Sequence, residues 1–292
     1  MKLEKLKITI REKSVIPIIL IRHNITVADR GFQEKKSGEE ILLQNRFGDI
    51  FLKIYEQTSL ITPSDTKTFI AVLNCLYDII HAQETDERKK EICNTAYGKG
   101  IEIPFSMILR YRDIKKAGSA YQKVKESLIK IYDITIKSEC VWLSSNESKK
   151  QDGYFHLLDA VFFTEVGQKK YIKVRINPYI IQSLFQKENT LISVGRTILN
   201  SLDGLAFNLF LFLEGQNFRK KQKKVFSYEE LIKESHFSYS LCGKKRPDMA
   251  IGQIQKALNQ LKEKNAILDW KETALWDGRK GVEIFFLCKN SN

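Results

Sequence analysis

Lys-Val-Phe-Ser-Tyr-Glu-Glu-Leu-Ile, residues 224–232, decides how this chain is read, because Ile-Glu-Ile-Pro-Phe-Ser-Met-Ile at 101–108 has already spelled the same pattern. In both places a short β-branched or aromatic strand runs straight into a helix start. Ser227 stands three residues before Glu230, the spacing of a capping box. Pro104 suits the first turn of a helix, where no backbone N–H is needed.

Outward from each stretch the pattern continues in parallel. Tyr121, Val124, Leu128 and Ile131 step by three, four and three, which predicts an amphipathic helix over about 117–132 after the turn Lys115–Ser119. Ile251, Ile254, Leu258 and Leu261 predict the matching helix over 247–264, after a turn segment Ser238–Pro247 that holds Gly243. Each helix is followed by an apolar strand pair around a polar loop. In the first copy these are Ile134–Leu143 and Tyr154–Val166 around Ser144–Gly153, which carries Lys149 and Lys150. In the second they are Ile267–Trp270 and Val282–Leu287 around Asp277–Gly281. A helix also precedes each copy. Thr62-Pro63-Ser64-Asp65 starts one whose Phe69, Val72, Leu73, Leu76, Ile79 and Ile80 recur at helical spacing to about His81. The other runs from Gly195 to about Glu214 with Leu199, Leu202, Leu205, Ala206, Leu209 and Phe210.

Strand, helix, helix and hairpin in that order make a winged helix-turn-helix. The expected fold is α+β: two tandem winged helix-turn-helix domains at 63–190 and 191–292, joined near 187–194. Residues 1–62 are read as an arm or extra layer on the first repeat, with β-prone runs at Leu6–Ile10 and Val15–Ile21, a charged loop Arg30–Glu40, and a strand or short helix at Asp49–Tyr55. Gln83–Lys90 reads as a polar stretch, Tyr171–Ile176 as a further strand and Tyr179–Gln186 as a helix.

With 292 residues, 43% hydrophobic and 28% charged, the chain has enough apolar sequence for two ordinary cores, and 5 Pro and 15 Gly exclude a linker-like chain. The net charge of +13 suits a polyanionic partner, although a lysine-rich solvated surface accounts for such a charge equally well. The five cysteines are isolated, with no Cys-x-x-Cys pair, which speaks against a zinc ribbon and for a reducing compartment. Val15–Ile21 is too short to span a bilayer and contains Pro17, and Leu205–Leu213 is interrupted by Asn208, so a soluble, cytoplasmic protein without membrane contact is expected.

A winged helix presents its second helix to the major groove of duplex DNA while the hairpin reaches the adjoining backbone or minor groove. In the second copy the outer face offers Gln253, Lys256, Asn259 and Gln260, with Lys244, Lys245 and Arg246 just ahead as phosphate contacts. The bland alternative is an ordinary solvated helix face. Arg279 and Lys280 at the hairpin tip are candidate groove or phosphate contacts, or parts of a solubilising turn. In the first copy Gln122, Lys123, Ser127 and Lys130 fall on the face opposite the apolar stripe, and this copy serves either DNA contact or dimerisation. The run Arg219–Lys224 is a phosphate clamp or a lysine-rich loop.

Enzyme signatures are sparse. There is no phosphate-binding Gly-x-x-x-x-Gly-Lys-Ser/Thr loop, and His23, His81, His156 and His236 are scattered. No catalytic residue, metal site or cofactor is expected.

With its tandem repeats at Ile101–Leu143 and Val225–Leu287 and preceding helices at 65–81 and 195–214, the chain resembles the plasmid replication initiator (Rep) proteins of the iteron-binding type. That resemblance is one of architecture and order over most of the chain after residue 62. It implies binding to double-stranded DNA at repeated origin sites, a C-terminal domain that binds half an iteron, and an N-terminal domain that contacts the other half or forms a homodimer repressing the initiator's own promoter. It also implies opening of adjacent AT-rich duplex and recruitment of a host initiator and helicase. A winged-helix transcriptional repressor and a protein–protein interaction module are the alternatives.

Overall fold

The computed structural model describes residues 10–22, 26, 40–45, 48–54, 60–115, 118–138, 153–186, 190–215, 222–236 and 247–287. The chain opens with β1 (Lys13–Pro17), α1 (Ile18–Arg22), β2 (Glu40–Asn45) and β3 (Gly48–Ile54). Val15–Ile21 is therefore a strand that turns into a helix. The 49–55 run is a strand, and Leu6–Thr9 lies outside the described residues.

Helix α2 (Pro63–His81) starts where the turn residues place it. Thr62 caps it, accepting from the Asp65 N–H, while the Asp65 carboxylate accepts from the Thr62 N–H at 2.9 Å. Phe69, Val72, Leu73, Leu76, Ile79 and Ile80 are all buried, and so is Cys75, whose thiol is pushed well up by burial. The stretch expected to be merely polar holds α3 (Asp86–Gly98), capped by Thr85. Only Ile92 and Ala96 of that helix are buried, too thin a stripe to show as a period.

The first repeat then runs β4 (Ile101–Pro104), α4 (Phe105–Tyr111), α5 (Gly118–Tyr132), β5 (Ile134–Ser138), β6 (Gly153–Phe155), β7 (Leu158–Val166), β8 (Lys169–Ile176) and α6 (Pro178–Gln186). The second runs β9 (Leu191–Gly195), α7 (Arg196–Ser201), α8 (Gly204–Gly215), β10 (Lys223–Ser227), α9 (Tyr228–Glu234), α10 (Pro247–Glu263), β11 (Asp269–Ala274) and β12 (Lys280–Phe285). The long helix expected from Gly195 is thus broken in two. Leu202 is extended (φ −90°, ψ 140°) and Gly204 takes a left-handed φ of 51°, which a glycine adopts without steric cost.

Two three-stranded antiparallel sheets share one topology. In β4-β8-β7 and in β10-β12-β11 the strand before the helix pair bonds the last strand, which bonds the middle one. The hairpin of the first repeat is therefore β7–β8, turning at Gly167 and Gln168, and not the pair expected around Ser144–Gly153. Strands β5 and β6 join β2 and β3 in a separate four-stranded sheet, and loop residues 144–152 lie outside the described residues.

Strands β1 and β9 form a two-stranded antiparallel ribbon between the repeats. Ile18 N–H donates to Thr190 O and Arg196 N–H to Glu12 O, so the even-numbered residues of β1 face their partner. Val15, centred against Ser193, then points its N–H and C=O away from β9 and towards α2. Asn74 of α2 is fully buried and meets them as a third strand would. Its Oδ1 accepts from Val15 N–H at 2.8 Å, and its Nδ2 donates to Val15 O at 3.0 Å and to Ile70 O at 2.7 Å. A polar cluster closes the same seam. Buried Lys67 donates to Asp203 Oδ1 and Asn200 O, while Asn200 donates to Tyr111 O and Asp113. Asp78 accepts from Arg11 and from the Tyr111 hydroxyl; burial pushes its carboxyl above the usual range, against the pull of those two donors.

Helix α8 is buried from Ala206 to Glu214. Asn208, the one polar interruption in its apolar run, donates to Thr26 O at 2.9 Å and Ser235 O at 2.8 Å. His236 follows in a left-handed turn (φ 53°), and burial drives its pKa from 6.5 to about 4, offset in part by the Thr26 backbone.

Asn74→Ala leaves the buried Val15 N–H and C=O without partners, which costs about 2–6 kcal/mol at ~1–3 kcal/mol per unsatisfied group. The urea midpoint should fall with the slope unchanged; an unshifted midpoint would refute the strand-like role. His236 gives a pH signature. Its folded pKa is depressed, so its contribution is fully present above pH 6.5 and drains away as pH falls towards 4. His236→Asn, which tolerates the left-handed turn, should lose about 2–3 kcal/mol less than the parent between pH 7 and 4.5. Parallel pH–stability curves would show that the imidazole is not buried neutral.

Candidate nucleic-acid interface

In the second repeat Ser227 caps α9, its hydroxyl accepting from Glu230 N–H at 3.0 Å, at the spacing seen in the sequence. The chain then reaches α10, whose Ala250, Ile254, Ala257, Leu258 and Leu261 are buried, with Ile251 half-buried at the margin. At 100° per residue the face opposite that stripe carries Met249, Gly252, Lys256, Asn259 and Glu263, with Gln253 and Gln260 along one margin. Gln253, Lys256 and Asn259 are exposed and Gln260 is half-buried. Met249 is 47% exposed.

The hairpin β11–β12 is tied to α10 along its length. Trp270 Nε1 donates to Asn259 Oδ1 at 2.9 Å, and Gln255 Nε2 donates to Glu272 Oε1 at 2.9 Å. The Tyr228 hydroxyl of α9 also donates to Glu272 at 2.9 Å, and burial lifts its pKa to about 12. Two residues along the strand (about 6.6 Å) match four residues back along the helix (about 6 Å), so the hairpin runs beside α10 from its C-terminal half towards its start. Asn259 stands on the face where its spacing puts it, exposed, with its carbonyl oxygen already engaged by Trp270.

At the hairpin tip Gly278 takes a φ of 80°. Gly281 is required for closeness: a Cβ there would lie 2.6 Å from a Leu275 methyl and 2.8 Å from Phe226 O. Arg279 is not an open cation, since its Nε donates to Asp277 at 2.8 Å and its Nη1 to Glu229 at 2.7 Å. The Asp277 carboxyl is held below its usual range by the Arg279 backbone N–H and guanidinium. Lys223 and Lys271 share Glu283, whose carboxyl is lowered by both. Lys256 and Lys280 are exposed and make no ion pair among the described residues, so both are open to a phosphate. Lys244, Lys245 and Arg246 lie outside the described residues.

The first repeat is less open. Gln122 donates to Glu126 at 2.8 Å, and both it and Lys123 are exposed. Ser127 is not on the outer face where the helical stripe seemed to put it: it is 5% exposed and donates to Asp65 Oδ1 at 2.6 Å, against the capped start of α2. Lys130 leans to the same carboxylate at 3.5 Å. The reason is packing: α5 lies against α2, so a polar residue beside the apolar stripe is drawn under the α2 cap. The tip of β7–β8 flanks a cleft of about 610 Å³ lined by Phe105, Tyr121, Gln168, Lys169, Lys170 and Tyr171. Lys170 sits 4.3 Å above the Tyr121 ring and pairs with Glu165.

With this geometry in view, the fold has counterparts. Domains 2 and 3 of RctB share it. A crystal structure of selenomethionine derivatives of those two domains is 14% identical with a TM-score of 0.58, over 93% of this chain and 98% of that one. A second crystal structure of RctB domains 2–3 is 14% identical with a TM-score of 0.54, over 92% of this chain and 96% of that one. No protein-family model and no curated relative matches the sequence. At 14% identity the likeness is one of fold: helices and small antiparallel sheets in the same arrangement from end to end. Among the described residues no helix is long and apolar enough to cross a membrane, and no cluster of His, Cys, Asp or Glu has the make-up of a metal site.

Sequence reasoning missed Gln255, Tyr228, Glu272 and Trp270, which fix hairpin to helix. Their signal is cross-element and has no local spacing to betray it. Gly252 carries a readable one. It sits inside a helix on the outward face, half-exposed, and a Cβ there would meet no atom within 4 Å. Gly252→Ala should therefore stabilise the protein by about 0.5–1 kcal/mol through helix propensity alone. Urea unfolding reads it, and a loss of stability would contradict the placement of α10.

Proposed function

We propose that this chain is a sequence-specific, non-enzymatic duplex DNA-binding protein of the replication-initiator kind, with winged helix-turn-helix domains at 63–190 and 191–292. The observation that carries the reading is the second repeat: a helix locked to its hairpin by Gln255, Asn259, Tyr228 and Trp270, with Lys256 and the uncovered Gly252 on the face left to solvent. A helix glycine that packing does not require, on an outward face, suits close approach to another surface. The initiator-like fold shared with domains 2 and 3 of RctB supports the same reading, as does the net charge of +13. Phosphate neutralisation by Lys256, Lys280 and the Lys244–Arg246 run would supply affinity, and Gln253 and Gln260 on α10 would read base edges. Cytoplasmic binding to origin repeats, autoregulation and recruitment of a host initiator and helicase follow from the resemblance to iteron-binding initiators.

The first repeat favours a different share of the work. Ser127 and Lys130 are turned to Asp65, and the edge strand β7 exposes Phe162 and Val166, 54% and 63% accessible. That surface suits a homodimer contact better than base reading.

The test is a titration of the DNA flanking the gene against scrambled duplex of equal composition, repeated over a salt series. If roughly six phosphates are neutralised, log affinity should fall against log salt with a slope of about −5. Lys256→Ala with Lys280→Ala should reduce that slope by about 2. A slope near zero, or equal binding to both duplexes, would overturn the specific-reader proposal.

A further inference from the structure

Trp276 is 98% exposed at the tip of β11–β12, an indole held in water that the fold does nothing to cover. Its backbone, by contrast, is fixed. Leu275 N–H donates to Arg279 O at 2.8 Å, and Gly278 N–H donates to Leu275 O at 3.0 Å. On one side Leu275 packs over Gly281; on the other Asp277 binds both the backbone and the guanidinium of Arg279. A large aromatic ring on a rigid turn is ordered before anything meets it, which lowers the entropic cost of using it.

Its position follows from the way the hairpin tracks α10. Trp270 meets Asn259 and Glu272 meets Gln255, so β11 leads the tip from the C-terminal half of α10 towards its N-terminal half, and Arg279 in the turn meets Glu229 in the first turn of α9. The corresponding turn of the first repeat is different. It has only Gly167 and Gln168 between paired residues, while five residues, 275–279, separate the paired Ala274 and Lys280. The longer turn carries the indole beyond the sheet.

We propose that Trp276 is a DNA-stacking wedge: its ring inserts against a base step of the duplex beside the site held by α10, unstacking that step. This rests on the DNA-binding reading above. The flat π-face of a base is the occupant that matches. One indole ring is far smaller than the roughly 800 Å² per partner of a stable protein interface, and exposed Lys280 at the end of the same turn suits a flanking phosphate. Aromatic stacking tolerates any base, so the wedge adds affinity and local opening, and α10 keeps the reading.

Full-length protein, Trp276→Ala and Trp276→Phe are compared on the repeat-bearing duplex from the DNA flanking the gene, with 2-aminopurine placed in turn at steps on either side of the protected site. The parent should brighten 2-aminopurine at one flanking step. Trp276→Ala should keep its melting temperature, lose that signal and bind roughly ten- to a hundredfold more weakly, with the salt slope unchanged because no phosphate contact is lost. Trp276→Phe should recover most of both. Parent-like affinity and an unchanged 2-aminopurine signal in Trp276→Ala, with specific binding intact, overturn the wedge alone. Loss of a dimer on sedimentation of Trp276→Ala without DNA overturns it in favour of a second copy of the chain. A parent that binds scrambled and flanking duplex equally overturns the DNA-reader proposal, and the wedge with it.

Discussion

The hydrogen bonds from the Asn74 side chain to Val15 hold this molecule's two repeats in one frame. A two-stranded ribbon is marginal by itself in water, and β1–β9 is such a ribbon, one strand from the start of the chain and the other from its middle. Asn74 gives β1 a partner on its open side from within α2. Because α2 also packs against α4, α5 and α8, the ribbon is fixed to the first repeat and the start of the second at once. Lys67 then spans the same seam to Asp203 and Asn200, at the break between α7 and α8. A buried ammonium is destabilised by desolvation, and the Lys67 pKa is lowered by it, so its hydrogen bonds to the second repeat are obligatory for the folded seam.

A rigid seam bears on the proposed DNA binding. A reading repeat and a dimerising repeat on a flexible linker would accept many spacings between half-sites. Joined through the β1–β9 ribbon and the pair of buried Lys67 with exposed Asp203, they would accept few, and site spacing would become part of recognition. The same logic operates inside the second repeat. Gln255, Tyr228 and Glu272 form a closed polar triangle, and the Trp270–Asn259 bond adds a second tie. Helix and hairpin are therefore one body, which on the proposed function would leave little ordering to be done on contact with a duplex.

Much of this was legible in the residues, and what was not has physical causes. The caps at Thr62 and Ser227, the stripes of α2, α5 and α10, and the strand-to-helix steps at 101–108 and 224–232 are local signals, and the structure contains all of them. The first hairpin was misplaced because Ile134–Ser138 has the right pattern for a wing but takes its partners from β3, some eighty residues earlier, which no local pattern reveals. Asp203-Gly204 broke a helix whose apolar period runs on through the break. Ser127 shows the limit at a site: a helical wheel ranks it polar and outward, yet the neighbouring α2 supplies a buried carboxylate that only tertiary packing could bring.

The two repeats share a topology and have diverged in what they leave exposed. In the first, the polar residues beside the stripe of α5 are absorbed by Asp65, the Lys170 ammonium lies on Tyr121, and Phe162 and Val166 face solvent on an edge strand. In the second, the polar residues beside the stripe of α10 are spent on fixing the hairpin, and the outward face keeps Lys256 and the room above Gly252. An apolar edge gains most from another protein surface, which removes it from water. A polar face with open cations and a solvent-facing glycine gains most from a polyanion that can come close to the backbone. On the proposed function, one scaffold used twice would divide association from recognition, without either repeat having to satisfy both demands on the same helix.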